Sequence, residues 1–255
     1  MALPISANLG FLWKELSLLE AIRTAKNAGF DAVECHWPYD TDPKDVRETL
    51  ESVDMRMLGL NTAQGGAGLN GLLAVVGREV EARASIDQAI AYAAAIGTPN
   101  VHAMAGFARG DTAHNCFAEN LKYACGEAAK HGITILIEPL NTYDAPNYFL
   151  QTTPQAAAII AEVEAPNLKL MFDCYHVQIM EGDLSRRLIK LLPLIGHVQI
   201  ASVPERCEPD CGEVNYAHIF MHLSKIGYDG AIGAEYKPVA TTDAGLGWLK
   251  NGTLF

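Results

Sequence analysis

Three carboxylates and one amide stand where apolar runs of the chain end, and together they form a donor set for a hard divalent cation. ILIEPLN closes on Glu138, and LKLMFDCYH ends at Asp173 with His176 three residues further on. HVQIAS holds Gln199 among apolar neighbours, and AIGAEYKP ends at Glu235. A polar group in such a buried run costs free energy unless it is hydrogen-bonded or coordinated. Any one of the four, taken singly, reads as a core polar group with a hydrogen-bond partner. Four on consecutive runs at one height read differently, because crowded carboxylates repel one another and a divalent cation is the simplest remedy. Oxygen donors favour one Mg2+ or Mn2+, with water or substrate completing the coordination. Zinc calls for more His or Cys, and Cys207 and Cys211 have no obvious second pair, so they read as idle loop thiols.

Further polar residues surround this set. His176 reads as a donor to a substrate oxygen, as an orienting group for a ligand, or as a helix-start His bonded to backbone. Lys237 is two residues past Glu235, on the same inward face if the strand continues, where it pairs with a glutamate or binds a substrate carboxylate. Arg206, in the long segment after the seventh run, is a second carboxylate candidate or a surface arginine. His102 and Asp144 lie near the ends of runs four and five and complete the candidate substrate contacts. Phe11, Trp13 and Trp37 either wall a pocket or pack in the core.

The elements that must position these residues alternate. Short β-rich runs are expected at 5–9, 32–35, 57–61, 101–104, 133–138, 168–172, 197–200 and 231–235. Helical periods fill 15–28, 43–53, 78–96, 113–131, 153–163, 184–192, 216–226 and 243–251. Gly29, Gly97, Gly132 and Gly227 follow predicted helix ends, and Pro154 after Thr152-Thr153 marks a helix start. Eight β-then-α units without a repeat, a linker or a low-complexity break predict a single (β/α)8 TIM barrel over residues 1–255. A doubly wound sheet is the runner-up, but no strand is followed by G-x-G-x-x-G. The cluster Gly65-Gly66-Ala67-Gly68 reads as a flexible loop at the barrel mouth.

Composition narrows the partners. Hydrophobic residues make up 49% of the 255 and charged ones 19%, which suits a large core and excludes disorder. Nineteen basic against thirty acidic side chains leave a net charge of −11, which argues against a nucleic-acid partner. The apolar runs are too short to span a bilayer, so no membrane partner is expected. The start carries no basic n-region, and the six scattered cysteines suit a reducing compartment, so a cytoplasmic location is expected. Homo-oligomerisation is left open.

The stretches SANLGFLW, IEPLNTYDAPNYFL, DCYHVQIMEGDL, GHVQIA, CGEVNY and EYKPVATTDAGLGW resemble the hydroxypyruvate isomerase family of xylose isomerase-like barrels. That group also holds 2-oxotetronate isomerases and ketose 3-epimerases. The resemblance runs nearly end to end. It implies that Glu138 and Glu235 both bind the metal and move protons, with Asp173 and Gln199 completing the site. It also implies a small hydroxy-keto acid or sugar as substrate, with hydroxypyruvate and tartronate semialdehyde interconverted through a cis-enediolate. A ketose 3-epimerase on the same metal site is the alternative. An apurinic endonuclease, on the same barrel, calls for a His-rich trinuclear zinc site and a basic face, and a non-catalytic metal-binding barrel is a third reading. The chain departs from the family after strand seven: the usual A-D-N-P-G-R-H-E-P-G-T-G-E reads Ala201 to Glu213 as ASVPERCEPDCGE, keeping Arg206 and Glu208. The loop TAQGGAGLNGLLAVVG also differs. Both loops cap the pocket, so the metal site carries over and substrate identity does not.

Overall fold

A computed structural model describes residues 3–66 and 68–252; Ala67, inside the glycine-rich loop, lies outside the described residues. Eight strands follow one another: β1 (Ile5–Asn8), β2 (Ala32–Glu34), β3 (Gly59–Asn61), β4 (Asn100–His102), β5 (Thr134–Ile137), β6 (Leu168–Asp173), β7 (Ile195–Ile200) and β8 (Ile232–Ala234). Helices lie between and after them: α1 (Leu18–Ala28), α2 (Pro43–Ser52), α3 (Glu79–Ile96), α4 (Gly110–Ala129), α5 (Thr153–Val163), α6 (Cys174–Met180), α7 (Leu184–Leu191), α8 (Tyr216–Ile226) and α9 (Gly247–Lys250).

All the strand pairs are parallel, in the order β2-β1-β8-β7-β6-β5-β4-β3. The last seam closes between β2 and β3. Val33 bridges Met57, Val33 N donates to Arg56 O at 3.0 Å, and Leu58 N donates to Val33 O at 2.8 Å. The barrel is the predicted (β/α)8 fold. Parallel strands buried on both faces read as apolar runs, which is why the strand pattern was legible.

Local chemistry explains where the helices begin and end. Ser17 and Glu20 form a capping box at α1, whose apolar stripe Ala21, Ile22 and Ala25 packs on the barrel. Gly29 ends that helix at φ 101°, a left-handed conformation that costs glycine little. At α5 the cap is Thr152, whose side chain accepts from Gln155 N at 3.3 Å, so Pro154 stands one place further in than a first-position proline.

Helix α1 begins at Leu18 and not at 15, and α4 runs from Gly110 to Ala129 with Lys130 as its cap, so Gly132 stands beyond the cap and does not form it. Two further elements differ in kind. Helix α6 has only seven residues, too few for a visible period; it starts because Asp173 Oδ1 accepts from Tyr175 N at 2.8 Å. The expected helix over 243–251 divides into a 3-10 turn (Asp243–Gly245) and α9, because Gly245 and Gly247 interrupt it.

Candidate active site

The strands deliver their C-terminal polar residues to one cavity of about 310 Å3, where TIM barrels carry their sites. Its lining includes Glu138, His176, Gln199, Glu235, Arg206, Lys237, His102 and Asp144. Asp173 lies beside it: Asp173 pairs in register with Gln199, and ligand atoms of Glu138, Asp173 and His176 fall within 4.8 Å of one another. Phe11 and Trp37 also line the cavity, whereas Trp13 is buried in the core.

Three oxygens in this group are buried without a hydrogen-bond partner among the described residues: Glu138 Oε1, Asp173 Oδ2 and Gln199 Oε1. Buried polar atoms are rarely left so, and a hard cation fits this donor set. Burial, reinforced by Glu235 and Asp173, pushes the Glu138 carboxyl well above its ordinary range. Burial also raises Asp173, to about 7, against the pull of Arg206. Glu235 goes the other way. Burial opposes its charge, but His36 and Arg206 outweigh it and hold the carboxyl at about 2. Its oxygens accept from Asn8 Nδ2 at 2.6 Å, Gln199 Nε2 at 2.7 Å and Arg206 Nη2 at 2.7 Å.

His176 belongs to the cluster but is oriented as a donor and not as a ligand. Its Nδ1 faces Asn141 N at 3.0 Å and Asn141 Nδ2 at 2.8 Å, while Asn141 Oδ1 is occupied by the N–H groups of Tyr143 and Asp144. Burial, with the Arg206 charge adding to it, holds the ring neutral. Nδ1 must therefore accept, and Nε2 carries the proton, 3.7 Å from Asp173 Oδ2 and 3.9 Å from Glu138 Oε1. Two of the three readings open for this residue meet in this geometry: at the start of α6 the ring is bonded to the backbone N–H of Asn141 through Nδ1, and that bond leaves Nε2 to donate into the site.

Arg206 is not a surface residue. Only 9% exposed, it pairs with Glu235 and, at 3.3 Å, with Asp144, between the rings of Phe11 (4.7 Å) and Tyr175 (4.9 Å). Its buried Nε has no hydrogen-bond partner among the described residues. Lys237 is exposed at the cavity rim and makes no ion pair among the described residues, so of its two expected roles the pairing with a glutamate is absent. His102 Nδ1 is 3.7 Å from Glu138 Oε2, and burial lowers the ring to about 4. Cys207 and Cys211 place their sulfurs 3.4 Å apart, and all six cysteines are free thiols.

A residue set in the cavity wall, with Asn8, Glu34 and His197 among its lining, was missed in the sequence. Glu34 at the end of β2 accepts from Ser6 Oγ, His197 Nε2 (2.9 Å) and Gln199 Nε2 (2.8 Å). The signal was present, since Ser6, Asn8, Glu34 and His197 are polar residues in apolar runs like the four that were read.

Residues 22–252 match the family model described as the xylose isomerase-like TIM barrel. The chain belongs to this family. A family member from Cupriavidus necator, a 2-oxo-tetronate isomerase, is 45% identical over 96% of each chain. The hydroxypyruvate isomerase of Escherichia coli is 38% identical over 97% of this chain and 98% of its own. A family crystal structure named AP endonuclease, family 2, from Brucella melitensis superposes with a TM-score of 0.94 at 41% identity, covering 98% of this chain and 99% of the other. This family member is an enzyme whose curated relatives are isomerases.

Proposed function

We propose that this isomerase is metal-dependent and interconverts hydroxypyruvate and tartronate semialdehyde, or a related 2-oxo sugar acid, through a cis-enediolate. The observation that carries the reading is the convergence of unpartnered buried oxygens from Glu138, Asp173 and Gln199 beside Glu235. These four residues would hold one Mg2+ or Mn2+. When bound, the cation supplies positive charge against the developing enediolate and lines up the two substrate oxygens.

The rest falls to the protein's own groups. In hydroxypyruvate, C3 gives up a proton and C2 gains one, while the hydroxyl proton passes from O3 to O2. Glu138 and Glu235 directly follow β5 and β8, which β6 and β7 separate, so one carboxylate takes the carbon-bound proton and the other returns one. The His176 Nε2–H donates to a substrate oxygen. Lys237 at the rim and the guanidinium of Arg206 in the cavity lining offer positive charge to the substrate carboxylate. A cavity of about 310 Å3 is at the small end of ligand pockets, which suits a three- or four-carbon acid. Nucleic acid fits less well, because a chain of net charge −11 repels phosphates.

The test is a product assay with Mg2+ and Mn2+ on hydroxypyruvate, 2-oxotetronates and free ketoses. A carbonyl shift in a 2-oxo acid is expected. Inversion of one carbon in a ketose, without a carbonyl shift in any acid, would replace this reading with a 3-epimerase.

A further inference from the structure

We infer that Glu34 is a positioning residue for the cation site, fixing the side-chain amide of Gln199 so that its oxygen and not its nitrogen faces the metal. The inference rests on the metal reading above. A glutamine amide has two ends of nearly equal size and opposite polarity, and a cation attracts one and repels the other. Something must therefore hold the amide the right way round.

Gln199 Nε2 lies 2.8 Å from Glu34 Oε2 and 2.7 Å from Glu235 Oε2. Ionised carboxylates only accept, so the nitrogen has to be the end that meets them, and Oε1 is left unpartnered. Glu235 is itself a ligand in this reading, so its oxygens are shared with the cation. Glu34 stands outside the donor set and keeps the contact whether or not the ion is bound. It is held in place in turn, because its Oε1 accepts from Ser6 Oγ and from His197 Nε2. His197 precedes Gln199 by two residues on β7, so both project from the same face of that strand.

The network spans from β2 to β7, across β1 and β8. The residue of β8 paired with Gln199 is Gly233. A Cβ there would lie 2.4 Å from Glu34 Oε1 and 2.9 Å from both Gln199 Cγ and His197 Nε2. The space for the Glu34 contacts is thus the space of a missing side chain.

Mn2+ binding to the metal-free protein, followed by the paramagnetic resonance of the free ion, tests this independently of turnover. Glu34→Gln keeps the shape but brings an NH2 group into the acceptor position. Its Kd for Mn2+ should rise about 10–100-fold, the usual loss when a ligand's supporting partner is removed. The bound-ion spectrum should change as well. Combining Glu34→Gln with Gln199→Glu exchanges carboxylate and amide across the Glu34–Gln199 hydrogen bond at constant charge, and it sets the new carboxylate beside Glu235, where the cation offsets the repulsion. A carboxylate at 199 offers an oxygen whichever way it turns, so this pair should regain most of the lost affinity. Native-like Mn2+ binding by folded Glu34→Gln overturns the inference, as does a folded double variant that regains nothing. If Glu34→Gln does not fold, the double variant alone decides, with a Kd within about tenfold of the native value expected and a weaker one contrary. Native protein that binds no Mn2+ would instead remove the metal reading itself.

Discussion

Glu138 and Glu235 are both buried and both face the cavity, yet Glu138 Oε1 has no hydrogen-bond partner among the described residues while the Glu235 carboxylate has three donors. If they are the acid–base pair, Glu138→Gln and Glu235→Gln should each lower turnover by about 10²–10⁴-fold. The two should separate in D2O. The variant that keeps the base for the starting carbon still exchanges that carbon's proton with solvent without forming product, and the other does neither. Metal content must be measured beside turnover, because loss of the ion imitates loss of the base. Two metal-loaded variants with near-native turnover would exclude the two-glutamate mechanism. Lys237 allows a cleaner substitution, being exposed and without an ion pair among the described residues. Lys237→Met should raise KM for hydroxypyruvate about tenfold, the worth of one charge-assisted hydrogen bond, and leave a neutral ketose unaffected. Equal effects on both substrates would show that Lys237 serves the protein.

At the scale of elements, the short helix α6 does more than continue β6. Asp173 starts it, His176 rides on its first turn, and Glu181 at its end reaches the start of α5. Glu181 Oε1 accepts from Thr153 N at 2.7 Å and Oε2 from Thr153 Oγ1 at 3.0 Å, with Arg187 paired to the same carboxylate. Thr153 is buried, so Glu181→Ala leaves a donor and a hydroxyl without partners at a cost of about 1–3 kcal/mol. Thr152→Ala removes only a helix cap and should cost about 1 kcal/mol. Urea unfolding of the two variants compares them. A Glu181 loss no larger than the Thr152 loss would mean that water replaces the carboxylate at α5.

For the whole molecule, a cation held by four strands should couple catalysis to stability. Dialysis against EDTA should abolish activity, and Mg2+ or Mn2+ should restore it; full activity in chelated, metal-free protein would exclude a metal mechanism. The same ion should raise Tm, because a ligand present at a hundred times its Kd stabilises the folded state by about 2.7 kcal/mol. Asp173→Asn should weaken that rise. An equal rise in the native protein and in Asp173→Asn would mean that the stabilising ion sits elsewhere.

Strand order, barrel closure and the four oxygen-bearing strand ends were legible in the chain, since parallel strands buried on both faces stand out as apolar runs and a polar residue within one is conspicuous. Helix ends were legible at Gly29 and Thr152, where a glycine or a threonine before proline marks them, but the Ser17 cap was not, since the helix was expected from 15. Only the tertiary structure decided what surrounds the four oxygens. Arg206 reads as a loop arginine until the fold of the β7–α8 segment lays it between two rings on Glu235. The tautomer of His176 depends on Asn141, thirty-five residues away in the chain. Glu34 and Gln199 are 165 apart. Hydrogen bonds of this kind have no period in sequence: each depends on two side chains brought within about 3 Å by the closure of the barrel, and the pairing exists only once that closure has occurred.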